Sequence, residues 1–116
     1  MHEEPEPEEG PVLVTIRYVI DPTNAGEFLN QLHKYERVRR RDGATRWGVF
    51  SDLEARGVYL ESFLVDSWAE HERQHYRFTV ADRELEKTVM NFAVKPIEVK
   101  HYIRARKDRD FRPHRA

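Results

Sequence analysis

The polar segment at residues 67–77 carries the residue types best suited to chemistry. His71 and His75 are four residues apart, so on a helix both imidazoles project from one face, and the literal string His-Glu-x-x-His is typical of zinc sites. We predict no metal here, because the predicted helix is short, no third ligand is evident nearby, and Arg73 would oppose a dication. The alternative is a solvated or interface helix face. The candidate catalytic residues are Trp68, His71 and His75.

A second group of candidates lies on predicted strands. Arg17 of the first strand and Glu61 of the third are expected to lie near one another on the sheet face that the helices leave open. Such a mixed pocket suits a small aromatic or anionic ligand. Alternatively, Arg17 and Glu61 form a buried ion pair that fixes the register of a dimer. The predicted ligand-binding residues are Arg17, Trp47, Glu61, Phe63 and Tyr102.

A basic run, Arg39-Arg40-Arg41, ends the first predicted helix. Cations are favoured there by the helix dipole, by about 0.3–1 kcal/mol each, which explains the run without a partner. The functional alternative is a weak contact with acidic surfaces, such as a phosphate or an acidic headgroup, aided by the basic residues after position 104.

Composition excludes more functions than it suggests. The chain has 116 residues, enough for one domain, and its 20 basic and 21 acidic residues give a net charge of −1, which argues against a nucleic-acid partner. It has no cysteine, so thiolate chemistry and disulfides are excluded. No stretch is long and apolar enough to span a membrane and the first ten residues are acidic, so we expect a soluble, cytoplasmic chain. The five glycines are scattered and form no phosphate-binding loop or dinucleotide fingerprint.

Periodicity predicts the elements that position these residues. Apolar residues alternate over 12–20, 45–51, 58–65 and 97–103, the period-2 pattern of strands. Apolar residues at three- and four-residue steps predict a helix from Thr23 or Asn24 to Asp42. Capping-box spacings at 67–70 and 79–82 predict two further helices, over 68–76 and from 79 to Pro96. The order is that of an α+β fold, a ferredoxin-like βαββααβ sandwich with an antiparallel sheet.

The sheet is expected to need cover on both faces. Leu13, Val19, one of Trp47 or Phe50, and one of Phe63 or Tyr59 give the face away from the helices apolar character. The layer available to so short a chain is a second copy, so we predict a homodimer packed sheet to sheet, a dimeric α/β barrel. The barrel domain is expected over residues 12–105, between a disordered acidic tail at 1–11 and a basic flexible tail at 106–116.

Two long strings carry a family resemblance that extends over residues 12–105. Arg-Arg-Arg-Asp-Gly-Ala at 39–44 and Ser-Trp-x-Glu-His-x-Arg-Gln-His at 67–75 resemble the soluble C-terminal tail of the enterobactin-exporter-like group of major facilitator superfamily transporters. The resemblance covers the tail alone, so it implies a cytoplasmic domain and carries no transport activity.

The element order is also similar to that of the dimeric α/β barrels of the antibiotic biosynthesis monooxygenase superfamily. Some of its members oxidise aromatic polyketides without metal or flavin, and haem-degrading relatives use an Asn, a Trp and a His. Trp68 and His75 are the candidates for the last two, but Arg17 and Tyr18 stand where the Asn is needed, and the Trp-to-His interval is short. The triad is not matched, so the resemblance implies no cofactor.

We therefore expect a non-catalytic, self-associating module that binds an interaction partner or a small ligand. The alternative is a cofactor-independent monooxygenase-like enzyme acting on a small aromatic substrate. A fold shared with enzymes does not by itself imply their activity.

Overall fold

The computed structural model describes residues 5–74 and 78–107, with the backbone alone at Gln74. A single 3-10 turn at Pro22–Asn24 precedes the first helix. In chain order the main elements are β1 (Val12–Val19), α1 (Ala25–Arg41), β2 (Thr45–Ser51), β3 (Val58–Val65), α2 (Trp68–Gln74), α3 (Val80–Met90) and β4 (Glu98–Ile103).

The four strands form one antiparallel sheet in the order β2-β3-β1-β4. The prediction of an α+β, ferredoxin-like βαββααβ sandwich is confirmed. β1 lies in the middle of the sheet with a partner on each side, which matches its unbroken alternation of buried and half-buried side chains.

One face of the sheet carries the hydrophobic core. The even-numbered side chains of β1 and the odd-numbered side chains of β3 point to this face, because partners in the antiparallel register lie on the same side of the sheet. The apolar stripe of α1 packs against them. The largest of these buried side chains are Tyr18, Phe28, Leu32, Tyr35 and Phe63.

Local capping explains where the helices begin and end. The Asp21 side chain accepts a hydrogen bond from the Thr23 amide at the start of the 3-10 turn, and Gly43, with φ +100°, follows the end of α1. Thr79 and Asp82 form the predicted capping box of α3, with both reciprocal hydrogen bonds present. The last residues of the helix predicted over 68–76 lie outside the described residues.

The opposite face, called here the open face, has no helix over it in the part of the chain that the structure describes. Leu13, Val19 and Phe50 lie on it as predicted, and Phe50 is 58% exposed. Neither Phe63 nor Tyr59 lies there, because the register pairs them with Val14 and Tyr18 on the core face. The apolar residues that β3 places on the open face are Val58, Leu60 and Leu64.

Two backbone carbonyls of the acidic segment before β1 contact the start of α2. The Pro7 and Glu9 carbonyls each accept a 2.8 Å hydrogen bond, from the Ala69 and Trp68 amides respectively. Backbone amides at the start of a helix need such partners, which explains why a stretch without hydrophobic periodicity is held in place. A further contact joins Glu9 to Arg106, at 4.0 Å. No helix in the described ranges, 5–74 and 78–107, is long and apolar enough to cross a membrane.

Candidate functional site

A cavity of ≈ 330 Å³ lies between the core face of the sheet and the three helices. Its volume is at the lower end of the range found for small-molecule sites, about 300–1,000 Å³. The sheet supplies apolar walls and the helices supply most of the polar groups. Among its lining residues are Val14, Phe63, Val99, Tyr35, Arg39 and Met90.

A buried carboxylate organises the polar side of this cavity. Glu61 is fully buried, and its Oε1 accepts from the Tyr18 hydroxyl at 2.9 Å while its Oε2 accepts from Trp47 Nε1 at 2.8 Å. Arg39 adds a charged partner, with Nε donating to Oε2 at 3.0 Å and Nη2 to Oε1 at 3.4 Å. Four donors from β1, β2 and α1 therefore meet one carboxylate on β3, which satisfies the charge in a dry environment.

The aromatic rings around Arg39 fix the plane of its guanidinium. Arg39 Cζ lies 4.5 Å from the centroid of the Tyr35 ring and 5.0 Å from that of the Phe63 ring, within the range of cation–π contacts. Burial by itself lowers the pKa of Arg39, but the Glu61 carboxylate outweighs burial and the pKa is raised. Burial, reinforced by Glu61, also raises the pKa of Tyr18, so this hydroxyl remains a donor.

A second aromatic cluster lies where α2 meets β4. The His71 and His101 ring centroids are 4.6 Å apart, and the Trp68 ring lies 5.3 Å from His71 and 5.6 Å from His101. Both histidines line the cavity, and His71 is buried. Two of the three predicted catalytic candidates, Trp68 and His71, are thus brought together, whereas the third, His75, lies outside the described residues.

His101 was not among the predicted site residues, although a signal for it exists. It pairs with Val14 across β1 and β4, so the alternation of the last strand places it on the core face. The other missed residues are Tyr18 and Tyr35, which occupy buried positions of β1 and α1. They differ from the apolar residues around them only in their hydroxyl group. A polar atom within an apolar stripe is therefore the signal that could have found them.

The predicted neighbourhood of Arg17 and Glu61 does not form. Glu61 pairs with Ile16, and Arg17 pairs with Leu60, so the two charged side chains project from opposite faces of the sheet. The predicted set therefore divides: Trp47, Glu61 and Phe63 lie on the core face, whereas Arg17 and Tyr102 lie on the open face. The predicted Arg17–Glu61 ion pair is therefore wrong. Neighbouring residues of a strand point to opposite faces, so a difference of one residue in the pairing is enough to separate the two side chains.

The three arginines of the basic run differ in their partners. Arg39 binds Glu61, and Arg41 bridges Asp42, at 3.1 Å from Nε, and Asp82, at 2.6 Å from Nη2. The remaining arginine, Arg40, is exposed and pairs with Glu36 on the same helix at 2.8 Å. Two of the three charges thus serve internal contacts. Within residues 5–74 and 78–107, no cluster of three or more metal-ligating side chains is present.

The element order and the sheet define a ferredoxin-like α+β domain, and solved structures share this fold. A protein of Caulobacter crescentus CB15 that carries the designation antibiotic biosynthesis monooxygenase is 13% identical, with a TM-score of 0.73 over 86% of this chain and 94% of that one. SnoaB, a cofactor-independent oxygenase from Streptomyces nogalater, gives a TM-score of 0.67 at 11% identity, over 85% of this chain and 97% of that one. A conserved protein of Methanosarcina mazei Go1 gives 0.69 at 15% identity, over 81% and 92% of the two chains. Identities this low establish the fold alone.

The sequence itself matches the transmembrane secretion effector family over residues 1–109. The chain belongs to this family, and the resemblance to an exporter family is confirmed. No curated protein matches the sequence.

Proposed function

We propose that this domain is a non-catalytic module that binds a small molecule in the cavity between its sheet and its helices. The observation that carries the proposal is the ≈ 330 Å³ cavity itself, which combines apolar walls with convergent polar groups. The Glu61 network supports the proposal because it orders Arg39 at the cavity wall without a ligand. Ordered polar groups lower the entropy cost of binding.

We also propose that two copies associate through their open faces. This face carries Leu13, Val19, Leu60 and Phe50, and it has no covering element among the residues that the structure describes. Two such faces can form the inner layer of a barrel by packing against each other. The family match supports a further proposal, that the domain acts as a cytoplasmic tail-type module of an exporter system.

Native mass spectrometry tests the first two proposals together. Under gentle conditions we expect a dimer of the 13.9 kDa chain that retains a small organic mass, which is lost on denaturation. The variant Met90→Trp fills the cavity from α3 and should remove the adduct while leaving the dimer intact. A wild-type adduct that persists in Met90→Trp would contradict binding in the cavity.

A cofactor-independent monooxygenase-like enzyme is the second candidate, and the His71–His101 pair favours it. An imidazole at a cavity wall is suited to take a proton from a phenolic substrate, a common first step in general base catalysis. The test is oxygen consumption with a small phenol as substrate, compared between wild type and His71→Ala. An enzyme should lose turnover and keep its fold, whereas a binding module should show only a change in stability.

Contact with acidic surfaces is a weaker, secondary proposal. It depends on Arg40 and the neighbouring Arg37, because Arg39 and Arg41 are engaged internally. Binding to anionic vesicles that falls steeply between low and high salt, and that is reduced in Arg40→Gln, would support it.

A further inference from the structure

The α1 wall of the cavity presents a hydroxyl that makes no hydrogen bond with any described residue. Tyr35 is 1% exposed and lines the cavity, and its hydroxyl makes no hydrogen bond within the described residues. A phenolic hydroxyl that is unpaired at a cavity wall is available to donate a hydrogen bond to a ligand. Burial raises the pKa of Tyr35, so at neutral pH the group is a hydrogen-bond donor.

Arg39 adds further donors one helical turn away. Its Nε and Nη2 are committed to Glu61, but Nη1 has no hydrogen-bond partner in the described part of the chain. The side chain keeps 18% exposure and lines the cavity. Because the Glu61 contacts fix one edge of the planar guanidinium, the donors at Nη1 are held in a fixed direction.

Among the described residues, the lining of the cavity carries equal numbers of positive and negative side chains. Arg39 pairs with Glu61, and Asp42 shares Arg41 with Asp82. The two remaining charged lining residues, Arg83 and Glu86, have opposite signs. A charged ligand would therefore meet no net opposite charge in the described lining, and the loss of its hydration shell would not be compensated. An uncharged ligand avoids this desolvation cost.

We propose that the cavity selects an uncharged molecule with an apolar body and a carbonyl-type oxygen, which accepts hydrogen bonds from the Tyr35 hydroxyl and the Arg39 guanidinium. Glu61 is then a positioning residue, since it holds Arg39 and does not touch the ligand. This inference rests on the proposed function, because it specifies the ligand class of the same cavity.

Three naphthalene probes whose substituents match in shape and number of heavy atoms test the ligand class. They are 2-acetonaphthone, which is neutral and has a carbonyl, 2-naphthoate, which is charged, and 2-isopropenylnaphthalene, which has the same shape without oxygen. Dissociation constants are measured by ligand-observed NMR on the full chain. We expect the ketone to bind about tenfold more tightly than the other two, the value of one to two hydrogen bonds.

Variants test the two donors. Tyr35→Phe keeps the ring and removes only the hydroxyl, so it should weaken ketone binding by about three- to tenfold and leave the hydrocarbon unchanged. Arg39→Lys keeps the charge but loses the planar fork, and we expect the same pattern. The matched controls are Tyr59→Phe, outside the cavity, and Arg40→Lys, on the exposed side of α1, and neither should change any constant. If Arg39→Lys does not fold, Tyr35→Phe decides the matter alone.

The outcomes separate this inference from the proposed function. Equal binding of all three probes, abolished by Met90→Trp, would overturn the ligand class and leave cavity binding standing. An unchanged ketone preference in Tyr35→Phe would overturn the role of the hydroxyl. Binding of no probe, or binding insensitive to Met90→Trp, would overturn the inference and the proposed function together.

Discussion

Glu61 has the largest concentration of contacts of any single side chain in the site. Three different elements reach its carboxylate through Tyr18, Arg39 and Trp47. A neighbouring pair, Arg40 and Glu36, has the same chemistry on the exposed side of α1. The protein thus contains one buried and one exposed Arg–Glu pair, whose arginines are neighbours on α1, and this allows the energetics of the two pairs to be compared directly.

We expect Glu61→Gln to reduce the free energy of unfolding by roughly 3 kcal/mol, because it leaves the Arg39 charge without its buried partner. The control Glu36→Gln should change it by less than about 0.5 kcal/mol, since an exposed pair contributes little. Urea denaturation measures both. Equal effects would show that the Glu61 network adds nothing beyond a surface ion pair.

A second residue-scale prediction concerns acid stability. The Arg41 guanidinium holds the pKa of Asp82 below its ordinary value, against the opposing effect of burial. The unfolded chain then binds a proton more readily than the folded one, so stability is fully present above the ordinary Asp pKa of about 4 and is lost as pH falls through the lower, folded value.

The measurement is the urea midpoint between about pH 6 and pH 2.5. Asp82→Asn should be less stable than wild type at pH 6 and should lose less stability on acidification. Asp66→Asn, at an exposed position that makes no side-chain hydrogen bond in the described residues, is the control and should follow the wild-type curve. A wild-type slope that survives in Asp82→Asn would contradict the assignment.

At the scale of elements, the start of α3 is joined to the end of α1. Asp82 serves both as a member of the capping box with Thr79 and as the partner of Arg41. The two helices that enclose the cavity from one side are therefore coupled by one carboxylate. Any loss of the cap should loosen the wall that carries Arg83, Glu86 and Met90.

Thr79→Ala removes the cap and should lower the free energy of unfolding by about 1 kcal/mol. Thr88→Ala is the matched control, because Thr88 lies exposed in the last turn of the same helix and its hydroxyl donates only to the Glu84 carbonyl. Alanine is the better helix former there, so the control should be neutral or slightly stabilising. Thermal melting of the two variants decides the point, and equal losses would count against the capping box.

The strands and the start of each helix were predictable to within a residue or two, whereas the faces of two strands were not. The end of α3 was also predicted wrongly, because this helix ends at Met90 and does not continue to Pro96. Alternation over 12–20 and 58–65 is regular, so pattern alone places β1 and β3. In β2 the register shifts between Thr45 and Gly48, where Arg46 has φ 51°, and alternation cannot be counted through such an irregularity. Glu61 was placed on the open face as a neighbour of Arg17, whereas its three actual partners are distant in sequence. Contacts of that kind depend on tertiary structure that the pattern of one strand does not contain.

At the scale of the whole molecule, the proposed dimer is tested by substitutions on the open face. Phe63 belongs to the core, so a charged substitution there would test folding and not association. Phe50, on the open face, is the suitable position.

We expect Phe50→Glu to convert the dimer into a monomer or an aggregate, because two charges would be buried between the packed sheets. The control is Leu53→Glu, in a turn where the side chain is 94% exposed, and it should remain dimeric. Sedimentation velocity distinguishes the species. An intact Phe50→Glu dimer of unchanged stability would contradict association through this face.

The alternation of β3 also determines which kinds of genetic change the domain can tolerate. Its odd positions hold Glu61 and Phe63 on the cavity side, and its even positions hold Leu60 and Leu64 on the open face. Inserting a single codon within the strand would move every later side chain to the other side and exchange the two surfaces at once. Inserting two codons would restore the phase beyond the insertion. We therefore expect length variation among related chains to fall in the turn before Val58 or after Val65, and within the strand only in steps of two.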